Sequence, residues 1–344
     1  MIIKLPINLQ ASVITECWTF YRMSIIDSYE NLVNWRLCNI NKLIMNHDDS
    51  IYFGEENKYY NQYKCYDGAL RFSVVHDNNN ADSIIDCITA QITAGKYVLL
   101  DVDYSLIDIN SQMIDNISNP IHETLVFGAD TDKKTFYIPS LHNEKWHEKE
   151  IPMKILAEAY LSMKTKKTDI QDFFNYQFMS IEVESRKYEL PGLQYFYNFE
   201  FLRYKTKDNQ DDFNNYYFEN SFGLIYSRII DILSKGNKLY NTKMATNLAK
   251  MIECKKILLK QIHYINNRFN INISELIIEG INNIIYNLQL SVRLYIKYSI
   301  NYNDAILSQI VEYISAAYDI EIKIMDSLRD TLSNYLKKNL ICAI

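Results

Sequence analysis

The sequence TECWTF, residues Thr15–Phe20, determines the interpretation of the first half of the chain because it places a cysteine where a helix begins. Apolar and aromatic residues recur after it at helical spacing, at Phe20, Tyr21, Ile25 and Ile26. Thr15 is a residue type that caps helices. Because the N–H groups at a helix N-terminus favour an anion, the segment predicts a helix that stabilises a thiolate on Cys17.

The residues after this helix predict a small antiparallel sheet. Tyr97–Val102 and His122–Phe127 read as strands, and Thr135–Ile138 reads as the hairpin partner of the latter. The connection at Gly128–Lys133 has the composition of a turn. Two further helices are predicted, at Asp82–Ala94 and Ile151–Met163.

The second half of the chain predicts a bundle of long amphipathic helices. The predicted helices are Phe218–Lys235, Thr242–Arg268, Ile273–Tyr298 and Asp304–Leu336. Their short connections favour antiparallel neighbours. We therefore expect an α+β domain at 1–165, a polar connecting segment at 166–213 and an all-α bundle at 214–344.

Composition excludes several classes of function. The net charge of −6 argues against a nucleic-acid partner, and the glycines are too few and too isolated for a phosphate-binding loop. The lack of a long uncharged apolar run argues against a membrane span. Six scattered cysteines without a close pair, and the absence of a signal-peptide pattern, favour the cytoplasm. His142 and His147 do not have a standard metal spacing, so we expect neither a metal nor another cofactor.

A histidine that could serve Cys17 as a base opens the strand His122–Phe127. A thiol is activated when an imidazole lies within hydrogen-bonding distance of the sulfur. Two simpler interpretations remain beside this one. Cys17 would then be a buried structural cysteine, and His122 a histidine without a partner at a strand edge.

The same residues carry a family resemblance. TECWTF resembles the Cys-Trp-Ala-Phe start of the papain active-site helix, and papain-like proteins also place their histidine at the start of a strand that returns as a hairpin. The order along the chain looks like that of the butirosin-biosynthesis-protein-H-like family. The matching segments are Tyr97–Tyr104, His122–Asp130, Phe136–Ile138, Ile151–Tyr160 and Phe222–Tyr226. The resemblance implies a papain-like fold for the first domain.

The resemblance also implies a chemistry and its partners. Enzymes of this family take an acyl group from a carrier-protein thioester through a cysteine acyl-enzyme and pass it to an amine, in antibiotic and peptide biosynthesis. Cys17 would be the nucleophile and His122 the base. An acyl or peptidyl carrier protein and a small amine would be the partners. The helical half would shape the substrate pocket or dock the carrier, with Arg268 and Lys235–Lys243 as basic contacts.

The resemblance leaves the other site residues open. Relatives place an Asn or Asp after the returning strand to orient the imidazole, whereas this chain has Ser140 and Asn143 in that stretch. Asp103, at the end of the preceding strand, is a further candidate. Gln10 lies near the position of the glutamine that stabilises the oxyanion, one residue too far from Cys17 for the papain spacing.

Two other functions are compatible with the same residues. A peptidase or thioesterase would use the same acyl-enzyme and release it to water instead of an amine. A binding protein that kept the fold and lost the chemistry would explain the missing orienting residue. The three hypotheses differ in whether Cys17 is acylated and in which nucleophile then captures the acyl group.

Overall fold

A computed structural model describes residues 1–15, 17–39, 43–45, 51–53, 66–108, 120–143, 145–166, 178–185, 193, 222–235 and 241–341. The chain forms two compact units, one from residues 1–33 and 66–188 and the other from residues 34–65 and 189–344. The mixed α+β class and the helical C-terminal region are therefore confirmed. The unit boundaries differ from the predicted ones, since residues 34–65 join the helical unit and the first unit continues past 165.

The described elements include both strands and helices up to residue 183, and all described elements after it are helices. The strands are β1 Ile2–Lys4, β2 Leu43–Met45, β3 Ile51–Phe53, β4 Leu70–Val74, β5 Tyr97–Asp103, β6 Ile121–Val126, β7 Gly128–Asp130, β8 Thr135–His142, β9 Lys145–Pro152 and β10 Phe178–Val183. The helices are α1 Cys17–Ile26, α2 Val33–Asn39, α3 Ala81–Thr93, α4 Met153–Lys166, α5 Phe222–Ser234, α6 Asn241–Phe269, α7 Glu275–Asn301 and α8 Asp304–Ile341.

Two antiparallel four-stranded sheets build the first unit, in the orders β1-β7-β8-β9 and β4-β10-β5-β6. The chain crosses from one sheet to the other at Phe127, which is buried and donates its N–H to the carbonyl of Tyr137 at 3.1 Å. This crossing corrects the predicted hairpin: β8 pairs with β7, whereas the strand carrying His122 pairs with β5. A second correction concerns the predicted helix Ile151–Met163. Its first two residues, Ile151 and Pro152, are the end of β9, and the helix α4 begins at Met153.

Packing in the first unit sets α1 against β6. The run Phe20–Ile26 is fully buried on every face of the helix, so α1 is an interior helix and not a one-sided cover of a sheet. Helix α3 begins where Asn80 caps the N–H of Ser83 at 2.8 Å, and it ends before Gly95, whose φ of 77° suits glycine. Helix α4 packs on β5, so β5 and β6 form the centre of this unit.

The described elements of the helical unit are α5–α8, the small β2–β3 sheet and α2, apart from its first residue. Helix α7 packs against α6 and α8, while α5 packs against α8. The backbone of Ile51 is held by α6, because its N–H donates to Asn247 Oδ1 at 2.9 Å and its carbonyl accepts from Lys250 Nζ. Gln261 likewise donates to the carbonyl of Leu37 at 2.7 Å. These bonds explain why residues 34–65 belong to this unit.

A buried ion pair joins α6 to α8. Lys255 and Glu321 form a salt bridge with side chains only 1 % and 2 % exposed. Tyr226 on α5 donates its hydroxyl to the second oxygen of Glu321 at 2.8 Å. The three helices are thus tied together at one buried polar point. None of the helices in the described ranges is long and apolar enough to cross a membrane.

We expect the Lys255→Met substitution to lower the free energy of unfolding by about 3–5 kcal/mol, because it leaves the Glu321 carboxylate buried without its cation. The Lys255→Met/Glu321→Gln double variant should recover at least half of that loss, since the amide still accepts from Tyr226. Urea unfolding followed by circular dichroism measures both variants. A single variant as stable as the double variant would contradict this account of the pair.

Candidate functional site

The structure brings Cys17 and His122 together. The distance from Cys17 Sγ to His122 Nε2 is 3.1 Å, within hydrogen-bonding range for sulfur. Cys17 is the first residue of α1, and His122 is the second residue of β6, opposite Val102 on β5. The contact thus depends on the packing of α1 against β6, and it joins residues about 105 positions apart.

The second ring nitrogen of His122 fixes the tautomer of the imidazole. His122 Nδ1 lies 2.6 Å from the backbone carbonyl of Glu123. A carbonyl oxygen can only accept, so Nδ1 must carry a proton. In the neutral ring, Nε2 therefore presents its lone pair to the Cys17 sulfur. This is the geometry that a base needs to take the proton of the thiol.

The electrostatics of this pair favour a charged imidazole. Burial alone would lower the pKa of His122, but the negative charge of Cys17 and the hydrogen bond to its sulfur outweigh burial. The hydrogen bond to the Glu123 carbonyl and the charge of that residue act in the same direction, and the result raises the pKa of His122 to about 9. A protonated imidazole beside the sulfur stabilises a thiolate.

Two tyrosines surround the pair. The Tyr104 ring meets the His122 ring edge to face, with centroids 5.9 Å apart and planes at 71°. Tyr21, on α1, is fully buried, and burial together with the nearby charges of Tyr104, Cys17 and Glu123 raises the pKa of its hydroxyl well above the ordinary value. Tyr21 is therefore neutral at physiological pH and adds no charge to the site.

A second contact joins the same two elements. Arg22 on α1 makes two hydrogen bonds to the carboxylate of Glu123 on β6, the longer of 2.8 Å. The Arg22 side chain is fully buried and that of Glu123 is 12 % exposed. Arg22 follows Cys17 by five positions and Glu123 adjoins His122, so the ion pair ties together the two elements that carry the site.

Trp146, on β9, fixes the segment that precedes the helix. Its indole stacks on Phe20 of α1, with ring centroids 3.8 Å apart and planes at 8°. Its Nε1 donates to the carbonyl of Ile14 at 3.0 Å. Two residues before Ile14, the N–H of Ser12 donates to Asp27 Oδ2 at 2.6 Å. The approach to Cys17 is thus held by the β1-β7-β8-β9 sheet and by the residue just past α1.

The three predicted orienting residues lie elsewhere. Asn143 is an exposed turn residue between β8 and β9, with φ of 48°, and Ser140 is a buried residue of β8 opposite His147. The Asp103 carboxylate accepts from Ser105 Oγ at 2.5 Å and from Ser162 Oγ at 2.7 Å. Since Cys17 and the Glu123 carbonyl occupy both ring nitrogens of His122, the structure does not bring these side chains to the imidazole.

The predicted oxyanion residue is not brought into contact with Cys17 by any hydrogen bond. Gln10 is exposed, and its backbone N–H donates to Asn8 Oδ1 at 2.9 Å in a turn. The first N–H groups of a helix have no acceptor within the helix itself, and Cys17 lies at this end of α1. In the described ranges, no three His, Cys, Asp or Glu side chains cluster to hold a metal ion.

Sequence reasoning missed the contacts that hold the site. Arg22 and Glu123 are single charges inside apolar runs, Phe20–Ile26 and Ile121–Phe127, and such charges are buried only when paired. That signal was present in the sequence, although it does not say which charge pairs with which. The carbonyl that orients His122 has no sequence signal, because every residue supplies one.

We expect nuclear magnetic resonance titration of the His122 ring to give a pKa near 9, and Cys17→Ala to bring it to or below the ordinary value of about 6.5, because burial then dominates. The raised pKa of His122 also makes the free energy of unfolding depend on pH. Its contribution is fully present below about pH 6.5, and it is lost as the pH rises through about 9. A His122 pKa that Cys17→Ala leaves unchanged would contradict the pairing.

Comparison with known proteins assigns no family to this chain. A scan against protein-family models finds no match. A search of curated proteins likewise finds no significant match. The functional interpretation therefore depends on the site itself.

Proposed function

We propose that this chain is a cysteine-dependent acyltransferase with a papain-like catalytic unit, which takes an acyl group from a carrier-protein thioester and forms an amide with an amine. The single observation that carries the proposal is the 3.1 Å contact between Cys17 Sγ and His122 Nε2 at the N-terminus of α1. A nucleophile, a base in the correct tautomer and a group that orients the base are the three parts that covalent acyl transfer requires.

The first half-reaction forms the acyl-enzyme. The Cys17 thiolate attacks the thioester carbonyl, and the N–H groups of the first turn of α1 donate to the oxyanion. The carbon–sulfur bond to the carrier then breaks, and His122 Nε2–H gives its proton to the departing carrier thiolate. The products are a thioester on Cys17, a free carrier thiol and a neutral His122.

The second half-reaction forms the product. An amine attacks the acyl-Cys17 carbonyl while His122 Nε2 accepts one of its protons. Cys17 leaves as a thiolate, which the newly protonated imidazole stabilises. The amide departs and the ion pair is restored, so no other reactant is needed for a cycle.

The choice of thioester and amine rests on the resemblance of segments such as Tyr97–Tyr104 and His122–Asp130 to the butirosin-biosynthesis-protein-H-like family. The site chemistry agrees with that choice. Attack on a thioester and attack on an amide pass through the same acyl-enzyme. The buried rings of Tyr21 and Tyr104 beside the pair limit water there, which favours capture by a bound amine.

We expect the purified chain to gain one acyl mass when it is mixed with a small acyl thioester, as measured by intact-protein mass spectrometry. Cys17→Ala should abolish the gain, and His122→Ala should slow it by roughly 100- to 10,000-fold because the base is lost. Cys87→Ala is the matched control, since Cys87 is a free cysteine of α3 whose thiol donates to the His76 carbonyl at 3.7 Å. Acyl loading that persists in Cys17→Ala would overturn the mechanism.

We also expect an amine to capture the acyl group faster than water does. The acyl-enzyme is isolated, and its decay is followed with and without a primary amine at increasing concentration. Amide should form with saturation in the amine, because transfer requires a bound acceptor. If the decay rate and the carboxylic acid product are the same at every amine concentration, the chain is a hydrolase instead of a transferase.

A further inference from the structure

We propose that the buried ion pair between Arg22 and Glu123 is the positioning element of the site: it sets the placement of the Cys17 sulfur against the His122 ring. This inference builds on the proposed function, and it assigns a role to two residues that do not themselves react. Neither residue hydrogen-bonds to the sulfur, so each sets its position through the element that carries it, and the charge of Glu123 in addition acts directly on the imidazole.

The covalent geometry of the chain links the ion pair to the reacting atoms. Arg22 lies on the same short helix as Cys17, and α1 spans only ten residues. Glu123 is joined to His122 by one peptide bond, and its own carbonyl accepts the His122 Nδ1 proton at 2.6 Å. A shift of the Glu123 backbone would therefore move the ring, its orienting acceptor and the strand together.

The bidentate contact defines the separation of helix and strand more tightly than apolar packing does. A planar guanidinium that meets a carboxylate with two parallel hydrogen bonds fixes both distance and angle. Apolar packing is non-directional, so it does not by itself fix the angle between particular atoms of the helix and the strand. The hydrogen bond between Cys17 Sγ and His122 Nε2 depends on that angle, because it weakens as the donor and acceptor move out of line.

The ion pair also lies in the electrostatic field of the site. The groups that face His122 are the Cys17 sulfur from α1, the Tyr104 ring and the Glu123 carboxylate of its own strand. Tyr21 faces the same cluster from α1. Arg22 holds the Glu123 carboxylate in place, and the charge of that carboxylate contributes to the raised pKa of His122.

The test compares three variants by two readouts: the pKa of the His122 ring by nuclear magnetic resonance, and the rate of acyl loading from a small thioester. Arg22→Met/Glu123→Leu removes both charges and keeps the apolar volume. Arg22→Lys keeps the cation and loses the bidentate contact. Lys255→Met/Glu321→Gln is the matched control, because it changes a buried ion pair of the same kind in the helical unit.

We expect the Arg22→Met/Glu123→Leu variant to lower the His122 pKa by about one unit or more and to slow loading about tenfold or more. The His122 pKa and the loading rate of Arg22→Lys should lie between those of the double variant and those of the unsubstituted chain. The control should match the unsubstituted chain in both readouts. If the double variant does not fold by circular dichroism, Arg22→Lys decides alone.

Two results would contradict the positioning role, and only the second would also contradict the proposed function. Loading at the unsubstituted rate in folded Arg22→Met/Glu123→Leu or Arg22→Lys, with an unchanged His122 pKa, would overturn the positioning role and leave the proposed function intact. An unsubstituted chain that is not acylated would overturn the proposed function, and the positioning role in that reaction with it.

Discussion

The packing of α1 (Cys17–Ile26) against β6 (Ile121–Val126) is the constraint on which the account of this molecule depends. It places the first residue of a helix beside the second residue of a strand, and the 3.1 Å contact between Cys17 Sγ and His122 Nε2 is the result. The helix supplies N–H groups that favour negative charge, and the strand supplies a rigid base. Because one packing contact supplies both, the thiol of Cys17 and the imidazole of His122 are brought together by folding alone.

A backbone carbonyl, and not a side chain, orients the imidazole of His122. Where a triad uses a carboxylate or an amide side chain, this chain uses the carbonyl of the residue that follows the histidine. A carbonyl fixes the tautomer as well as a side chain does, but it carries only a partial charge. Most of the stabilisation of the imidazolium must then come from the sulfur. In agreement with this, Cys17 raises the pKa of His122 more than Glu123 does.

Much of the fold could be predicted from periodicity, and the reason for each failure is physical. The helix at Cys17, the helix before Gly95 and the four long C-terminal helices have strong apolar periods, and they appear close to their predicted bounds. β1 and β4 were missed because each has at most one buried residue, and the β6–β8 pairing was wrong because a strand period does not say which strand is the neighbour. Likewise, Cys17 and His122 were predicted from residue type and context, whereas the Arg22–Glu123 ion pair depends on which distant charge the fold brings close.

The most direct measurement of the central claim is the alkylation rate of Cys17 relative to Cys87 within the same molecule, followed at neutral pH with iodoacetamide and residue-resolved mass spectrometry. Cys87 serves as the internal reference, since it is a free cysteine of similar exposure class. The account predicts that Cys17 reacts about tenfold faster or more, and that His122→Ala abolishes the difference. Equal rates for the two cysteines in the unsubstituted chain, or a difference that survives His122→Ala, would contradict it.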